Sequence, residues 1–239
     1  MAFSTSAVIV AGGNGARMQA DIRKQYLVLG KSPVLCHTLA VFAASPLISH
    51  IYLVVPETDF IFCEKEVIAT IPGYLPPVHL VAGGRSRQES VYHGLSAVRD
   101  MDGIVVIHDG VRPFVTPMEI ESCIKWAEIE GACILGVPVV DTLKKVDEDG
   151  HIIQTLARQH IWRAQTPQTF QYHLIKKAHD LAISKGITGT DDASLVERLG
   201  FRVRMVPGSP CNIKITTPED MMMALGILQG RSGAYGNVT

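Results

Sequence analysis

The run AVIVAGGNGARM, residues 7–18, is the most informative stretch for the fold of this chain, because an apolar β-branched segment passes directly into a glycine-rich turn. A short apolar run of this kind is typical of a buried strand, and clustered glycines are typical of a tight turn. At the carboxyl end of a parallel strand, such a turn stands where open α/β sheets bind ligands. The stretch therefore predicts a first strand over 7–11 followed by a candidate binding loop.

Similar β-branched runs recur along the chain, and amphipathic stretches separate most of them. This alternation predicts an α/β fold with a doubly wound parallel sheet. The further strands are predicted at 51–55, 78–81, 104–108 and 133–140, and the helices at 33–45, 58–70, 87–100, 117–130, 171–185, 191–199 and 218–229.

One segment breaks this rhythm, DTLKKVDEDGHIIQTLA at 141–157, in which two short strand-like runs flank a turn that ends in Gly150. It predicts a β-hairpin. A lone hairpin is marginally stable in water, so it must pack either on a second subunit or on its own domain, and the residues alone leave both open. We expect one domain over 1–239, with an arm at about 139–162 and a short flexible tail at about 230–239.

The composition limits the classes of partner. With 239 residues, 47% of them hydrophobic, the chain can bury a substantial core. Its 22 basic and 23 acidic residues give a formal net charge of −1, so we expect neither nucleic acid nor a membrane as partner. No apolar run reaches the roughly 20 residues that span a bilayer. Five scattered cysteines without metal-ligand spacing fit a reducing compartment, so we expect a cytoplasmic protein.

The glycine loop offers a cradle for a phosphate group. Gly12, Gly13 and Gly15 lack Cβ atoms, so backbone N–H groups can approach phosphate oxygens there. Arg17 and Lys24 add positive charge nearby. The loop matches neither GxxxxGK[ST] nor GxGxxG, which weakens the two commoner nucleotide-binding interpretations. The residues alone leave open both a phosphate-binding loop and an ordinary tight βα turn.

Two further segments put polar side chains at the same predicted sheet edge. IHDGVRP, residues 107–113, places Asp109 at the carboxyl end of a strand, where a carboxylate can accept a ribose hydroxyl or bind Mg²⁺ on a triphosphate. AGGRSRQES, residues 82–90, is a second glycine turn, suited to lining a base pocket. The structural alternatives are a helix cap or a turn pair of Asp109 with Arg112, and a simple helix start.

Several motifs of this chain resemble one family, in the expected order from about residue 7 to 229. They are AGGNGARM with Lys24-Gln25-Tyr26, HDGVRPF, DTLKKV, WRAQTPQTF at 162–170, TDDAS at 190–194 and NIKITTPED at 212–220. The family that they resemble is the 2-C-methyl-D-erythritol 4-phosphate cytidylyltransferases. Each motif alone is weak, but all of them in register over nearly the whole chain form a specific signal.

The resemblance implies a Rossmann-like domain with a protruding β-hairpin arm that builds a homodimer, which fits the hairpin at 141–157. It implies a reaction in which CTP and a sugar-alcohol phosphate, 2-C-methyl-D-erythritol 4-phosphate, give CDP-methylerythritol and pyrophosphate. This reaction belongs to the non-mevalonate route to isoprenoid precursors. The resemblance also implies Mg²⁺ as the cofactor, held mainly through the CTP phosphates, with Asp109 as a candidate protein ligand.

The resemblance further implies roles for residues at matching positions. Arg17, Lys24 and Lys214 match catalytic cations that offset charge at the α-phosphorus of CTP. Arg158, in the arm, matches a residue that positions the sugar-alcohol phosphate, from its own subunit or from the partner's. The other substrate-binding positions are Thr142, Thr166, Thr190 and Asp191, the nucleotide-binding positions are Ala11, Gly12, Gly13, Asn14, Gly15, Gly84, Ser90, Asp109 and Gly110, and structural roles are expected for His108, Arg112, Trp162 and Arg163.

One departure from the family pattern adjoins a catalytic position. Arg23 precedes Lys24 where the family more often has proline, which relaxes the restriction on φ and adds a charge. We expect the role of the lysine to survive this change.

Two other functions stay open. A ribitol 5-phosphate cytidylyltransferase shares the glycine loop and the HD..RPF motif, and differs in the alcohol pocket around Thr142, Thr166 and Asp191; the stretch 155–170 is closer to the methylerythritol enzyme. A non-catalytic nucleotide-binding module belongs to a different class. Such a module would not require the cations at 17, 24 and 214.

Overall fold

The structure is a computed structural model that describes residues 4–13 and 22–234, with only the backbone of 232–234. The strands in these residues are β1 (Thr5–Val10), β2 (Val28–Leu29), β3 (Ser32–Pro33), β4 (His50–Val55), β5 (Val78–Ala82), β6 (Ile104–Asp109), β7 (Ala132–Pro138), β8 (Leu143–Val146), β9 (Ile152–Leu156), β10 (Trp162–Gln171) and β11 (Arg204–Pro207). The α-helices are α1 (Val34–Ala43), α2 (Phe60–Phe62), α3 (Arg87–Ala97), α4 (Pro117–Glu130), α5 (Tyr172–Ser184), α6 (Asp192–Glu197) and α7 (Pro218–Ala234).

In the described part of the chain the central sheet has seven strands, in the order β11-β7-β10-β6-β1-β4-β5. β1 pairs in parallel with β4 on one side and with β6 on the other, so the winding of the chain reverses at β1. β10 lies between β6 and β7 and is antiparallel to both. The predicted α/β fold with a doubly wound, mostly parallel sheet is confirmed. The carboxyl ends of β1 and β6 form the switch point where such sheets bind ligands.

The two faces of the sheet are covered by different helices. Ala7 and Ile9 of β1 face a core that also contains Phe42 of α1, whereas Val8 and Val10 face a core built with α3, α5 and α6. This alternation follows from the two-residue period of a strand, and both faces are apolar because both are covered. A smaller third core lies under α7 and packs that helix against the turn at β2 and β3.

α4 shows how local sequence sets the ends of an element. Thr116 and Glu119 form a reciprocal capping box, Pro117 occupies the first turn, and Gly131 ends the helix with a φ of 84°. The helix predicted over 117–130 from the alternation of amphipathic and β-branched stretches is confirmed, and these local signals set its two ends.

β10 was not predicted, although it lies in the interior of the sheet. Pro167 and several polar side chains argue against a central strand at Trp162–Gln171. The sheet accommodates them because the pairing with β7 is irregular between Ala164 and Gln168. β11 was missed as well, since it is a short edge strand that begins with a charged residue, Arg204.

The regular helix predicted at 58–70 is wrong in detail. A 3₁₀ turn (Glu57–Asp59), α2, a π-helical turn (Cys63–Val67) and a second 3₁₀ turn (Ile68–Thr70) follow one another. This succession keeps the side chains of Cys63 and Val67 fully buried in the core and leaves Ile61 67% exposed. Tertiary packing thus overrides the regular helix that the sequence predicts in this segment.

Two predictions near the edges of the fold have different outcomes. The hairpin at 141–157 is confirmed, since β8 and β9 pair as a separate antiparallel sheet. The helix predicted to end at 229 continues to Ala234, because Arg231 donates a hydrogen bond of 2.7 Å to the carbonyl oxygen of Phe114 and lies over its ring. Among the described residues, no helix combines the length and the apolar character needed to cross a bilayer.

Candidate active site

Two adjoining cavities open at the carboxyl edge of the sheet, beside the switch point. Each has a volume of about 290 Å³. The first, the glycine-loop cavity, is lined by Ala11–Gly13, Lys24 and the turn that contains Gly84 and Ser90. The second, the hydroxyl cavity, is lined by polar groups of β10 and of the segment before α6. Because Arg87, Asp109 and Lys214 line both cavities, these three side chains form the boundary between them.

Hydrogen bonds hold the glycine loop in place from both sides. The N–H of Ala11 donates to the carbonyl oxygen of Val54 at 2.8 Å, which continues the pairing of β1 with β4. The buried side chain of Gln25 donates to the carbonyl oxygen of Ala11 at 2.6 Å. The first half of the loop is therefore positioned before any ligand binds.

The second glycine turn is held by Ser90. The N–H of Gly84 donates to the Ser90 hydroxyl oxygen at 3.0 Å, and that hydroxyl donates to the carbonyl oxygen of Ser86 at 2.8 Å. A Cβ atom on Gly84 would collide with the side chain of Glu89, so this position requires glycine. A Cβ atom on Gly12 would lie 3.6 Å from the Ser90 hydroxyl, which shows how closely the two turns approach each other.

Asp109 is the electrostatic centre of the boundary. One carboxylate oxygen accepts from Arg87 at 2.9 Å, while the other lies 2.9 Å from Lys214 and 3.5 Å from Arg112. Burial by itself would raise the pKa of Asp109, but the charges of Arg87, Lys214 and Arg112 outweigh it and hold that pKa well below its usual range. Arg87 also pairs with the buried Asp192, so three cations face two carboxylates, and the one net positive charge that remains suits an anionic ligand.

The floor of the hydroxyl cavity contains a buried network at Thr166. Burial lowers the pKa of His108 to about 4, so its imidazole is neutral at pH 7. Its Nε2 lies 3.1 Å from the carbonyl oxygen of Arg112, which can only accept, so Nε2 carries the hydrogen and Nδ1 is an acceptor. The Thr166 hydroxyl therefore donates to Nδ1 at 3.0 Å and accepts from the N–H of Asp109 at 3.1 Å. Thr166 thus ties β10 to the end of β6.

Asp191 and Gln168 form another wall of the hydroxyl cavity. The Gln168 side chain donates to a carboxylate oxygen of Asp191 at 2.7 Å and accepts from the N–H groups of Asp192 and Ala193, each at 3.0 Å. The other carboxylate oxygen of Asp191 caps α6 by accepting from the N–H of Ser194 at 2.9 Å. These bonds orient Asp191 while it still lines the cavity.

Most described residues that the sequence analysis singled out come together at these cavities. The ones that line them are Ala11, Gly12, Gly13, Lys24, Gly84, Ser90, Asp109, Thr166, Thr190, Asp191 and Lys214. Gly110 lies behind the loop instead, where a Cβ atom would stand 2.8 Å from that of Ala11. Thr142 and Arg158 are exposed in the arm, and Arg158 donates to the carbonyl oxygen of Val140. Asn14, Gly15 and Arg17 lie outside the described residues.

Arg87 is the main residue that sequence reasoning did not single out. It bridges two buried carboxylates, Asp109 at 2.9 Å and Asp192 at 2.8 Å, which are 22 and 105 positions away in the sequence. A weak signal was available, because an arginine at the start of α3 follows a glycine turn. Gln25 and Gln168 were missed as well, since a lone glutamine carries no spacing signal.

Comparison with known proteins bears on the whole chain. Residues 5–230 match the family model described as IspD, 2-C-methyl-D-erythritol 4-phosphate cytidylyltransferase. The chain belongs to this family.

Relatives of that name cover nearly the full length. The 2-C-methyl-D-erythritol 4-phosphate cytidylyltransferase of Geotalea uraniireducens is 47% identical over 226 residues, which are 94% of this chain and 96% of the relative. The enzyme of the same name from Syntrophus aciditrophicus is 49% identical over 228 residues, 95% of this chain and 97% of the relative. A crystal structure of 4-diphosphocytidyl-2C-methyl-D-erythritol synthase from Anaerococcus prevotii superposes with a TM-score of 0.84 at 31% identity, covering 95% of this chain and 96% of that one. The match of the IspD family therefore includes the fold as well as the sequence.

Proposed function

We propose that this chain transfers a cytidylyl group from CTP to 2-C-methyl-D-erythritol 4-phosphate, releasing pyrophosphate, as the name of its relatives states for them. The product is CDP-methylerythritol, an intermediate of the non-mevalonate route to isoprenoid precursors. The observation that carries this proposal is the pair of adjoining cavities with a shared cationic boundary. One cavity suits a nucleoside triphosphate, the other suits a polyhydroxylated phosphate, and their boundary is where the two substrates would meet.

The chemistry requires positioning and charge compensation. An oxygen of the acceptor phosphate attacks the α-phosphorus of CTP and forms a new P–O bond. The bond from the α-phosphorus to the bridging oxygen breaks, and pyrophosphate leaves with that electron pair. Because both reactants are anions, cations must offset their repulsion and the charge that builds at the five-coordinate phosphorus. Lys24 lines the glycine-loop cavity and Lys214 lies at its boundary with the hydroxyl cavity, and we assign both lysines this role together with Arg17.

We assign Asp109 the task of arranging these cations and accepting a ribose hydroxyl. Both of its carboxylate oxygens are already within ion-pair distance of Arg87, Arg112 or Lys214. In the described residues no group of three or more His, Cys, Asp or Glu side chains is arranged to hold a metal ion. These contacts favour Mg²⁺ as the counterion of the triphosphate, entering with CTP as part of the substrate.

The acceptor side of the proposal rests on hydroxyl and carboxylate groups. We assign Thr166, Thr190 and Asp191 to binding the alcohol groups of methylerythritol phosphate, since a polyol needs several hydrogen-bonding partners in fixed positions. Thr142 and Arg158 are proposed to reach the acceptor from the arm.

We propose a homodimer formed through the arm. The hairpin exposes Val146 at 51%, Ile152 at 63% and Ile153 at 59%, which is unfavourable in water and supports a covering second copy. In this assembly Arg158 acts in the site of the partner subunit, and residues 1–239 form one nucleotidyltransferase domain plus the arm at about 139–162. The cytoplasm is the proposed location, which the free state of the cysteines, four of them buried, supports.

Pyrophosphate release tests the function directly. CTP with Mg²⁺ and methylerythritol phosphate is expected to give release, whereas ribitol 5-phosphate gives a much lower kcat/KM. A preference for ribitol phosphate would replace the proposed acceptor, and no release with either alcohol would leave only nucleotide binding. We expect Lys24→Ala and Arg17→Ala each to lower kcat by roughly 10²-fold or more, as for loss of a group that stabilises the transition state. Lys185→Ala, at an exposed lysine after α5, is the matched control.

Subunit mixing tests the role of the arm. Heterodimers that combine an Arg158→Ala subunit with a Lys24→Ala subunit contain one intact site if Arg158 acts across the interface. Partial recovery of activity is therefore expected. Absence of recovery in verified heterodimers would mean that each site is built from one chain.

A further inference from the structure

Lys24 lies in a very short element. Lys24–Tyr26 form a single 3₁₀ turn, closed by hydrogen bonds from the N–H of Tyr26 to the carbonyl oxygen of Arg23 at 2.9 Å and from the N–H of Leu27 to that of Lys24 at 3.3 Å. One such turn has poor hydrogen-bond geometry and little stability of its own. The position of this turn beside the glycine-loop cavity must therefore be set by the side chains that flank the lysine.

Both flanking side chains converge on one atom of Asp59. The guanidinium of Arg23 donates to Oδ2 of Asp59 at 3.0 Å, and the hydroxyl of Tyr26 donates to the same oxygen at 2.9 Å. The contacts come from the residue before Lys24 and from the residue two positions after it. The turn is thus held at both of its ends, and Gln25 between them bonds to the glycine loop.

Asp59 itself is attached to the rigid part of the fold. It ends the 3₁₀ turn that follows β4, its N–H donates to the carbonyl oxygen of Pro56 at 2.9 Å, and its other carboxylate oxygen accepts from Thr58 at 3.0 Å. Burial raises the pKa of Tyr26, so the tyrosine hydroxyl keeps its hydrogen and remains a donor to Asp59. The carboxylate of Asp59, in the turn that follows β4, thereby fixes the Arg23–Tyr26 turn.

We propose that Asp59 is a positioning residue for Lys24: it holds the Arg23–Tyr26 turn so that the lysine ammonium meets the triphosphate. The inference rests on the proposed catalytic role of Lys24. The ion pair is partly exposed, with side-chain exposures of 32% for Arg23 and 16% for Asp59, so its contribution to global stability is small. Its effect is on geometry, because a displacement of a catalytic cation by about 1 Å can cost up to 10²-fold in rate.

The test compares single and double variants in the pyrophosphate-release assay. Asp59→Ala removes both contacts, and we expect kcat to fall about 10-fold with the KM for CTP nearly unchanged. Asp59→Asn keeps an acceptor for Tyr26 and should fall less. In a Lys24→Ala background Asp59→Ala should cause no further loss, because its effect passes through the lysine. Asp180→Ala, which removes an exposed carboxylate paired with Lys176, is the matched control and should retain the activity of the unmodified protein.

The outcomes separate this inference from the proposed function. An unchanged kcat in Asp59→Ala, or the same loss with and without Lys24, would overturn the positioning role even if Lys24→Ala is slow. A normal kcat in Lys24→Ala would overturn the role of the lysine and the inference with it. If circular dichroism shows that Asp59→Ala does not fold, Tyr26→Phe removes one contact while keeping the ring against Phe62, and the same comparison applies.

Discussion

Of the residues in the site, we expect Arg87 to be the one whose substitution lowers the free energy of unfolding most. Its guanidinium neutralises two carboxylates whose side chains are 7% (Asp109) and 1% (Asp192) exposed. Removing one partner of a buried ion pair costs about 3–5 kcal/mol, because the remaining charge is left without compensation. Asp109 keeps Lys214 and Arg112 as partners, so most of the loss falls on Asp192, which keeps His179 at 3.2 Å. We therefore expect Arg87→Met to lower the free energy of unfolding at pH 7 by about 3 kcal/mol, the lower end of that range.

The same variant should show a characteristic pH dependence. In the unmodified protein, burial would raise the pKa of Asp192, but Arg87 and His179 outweigh it and keep the pKa low. Without Arg87, burial dominates and the folded-state pKa rises above that of the unfolded chain. The folded variant then binds more protons than the unfolded one at mildly acidic pH, so protonation offsets part of the loss as pH falls. The destabilisation should therefore be smaller at pH 5 than at pH 7.

Urea unfolding at fixed protein concentration measures both effects. Arg204→Met is the matched control, since Arg204 pairs with Glu130 at the exposed edge of the sheet and stacks on Trp126. If Arg87→Met destabilises the protein no more than Arg204→Met does, the buried bridge is not a significant source of stability. A destabilisation that grows between pH 7 and pH 5 would contradict the assigned role of Asp192.

Two further predictions concern the support of the site. Burial lowers the pKa of His108 to about 4, so below the ordinary pKa of histidine the unfolded chain binds more protons than the folded one. The free energy of unfolding should therefore fall by about 2 kcal/mol between pH 6.5 and 4.5. Urea titrations should show a much flatter pH dependence for His108→Asn, and the same pH dependence in both proteins would refute the buried neutral imidazole. Gly110→Ala places a Cβ atom 2.8 Å from that of Ala11 and should destabilise by about 1–3 kcal/mol. Gly226→Ala, exposed in α7 with nothing within 4 Å, should instead stabilise by up to about 1 kcal/mol, and thermal unfolding that ranked the two in the opposite order would contradict this account.

Local patterns were enough to predict most of the fold. The run at 7–11 and the glycines after it predict a buried strand and a turn, and the amphipathic stretch at 117–130 predicts α4, whose ends the structure places at Pro117 and Glu130. Where local and tertiary preferences conflict, prediction failed. Pro167 argues against a strand where the sheet contains β10, and the packing of Cys63 and Val67 replaces the regular helix predicted at 58–70 by a succession of short turns.

The types of residue in the candidate site were predictable from the sequence, but the contacts between them were not. Glycine turns, a carboxylate at a strand end and scattered cations are visible in the sequence, and the family resemblance names the positions. For Arg87 the sequence offers only the weak signal of an arginine after a glycine turn, because its two partners come from β6 and from the start of α6. The anchoring of Lys24 by Asp59 likewise joins segments that are not adjacent in the chain.

By itself, the sequence determined the strand and helix pattern, the sheet edge that carries the loops, and the family, since these depend on periodicity, turn chemistry and ordered motifs. Which charges face each other became visible from the packing of the folded chain. An ion pair depends on distances of about 3 Å between side chains that can be a hundred positions apart. Such distances are set by how strands and helices pack. The nearly neutral composition of the chain gives no information about them. The positive boundary between the two cavities is therefore a property of the fold, assembled from residues whose charges nearly cancel over the whole chain.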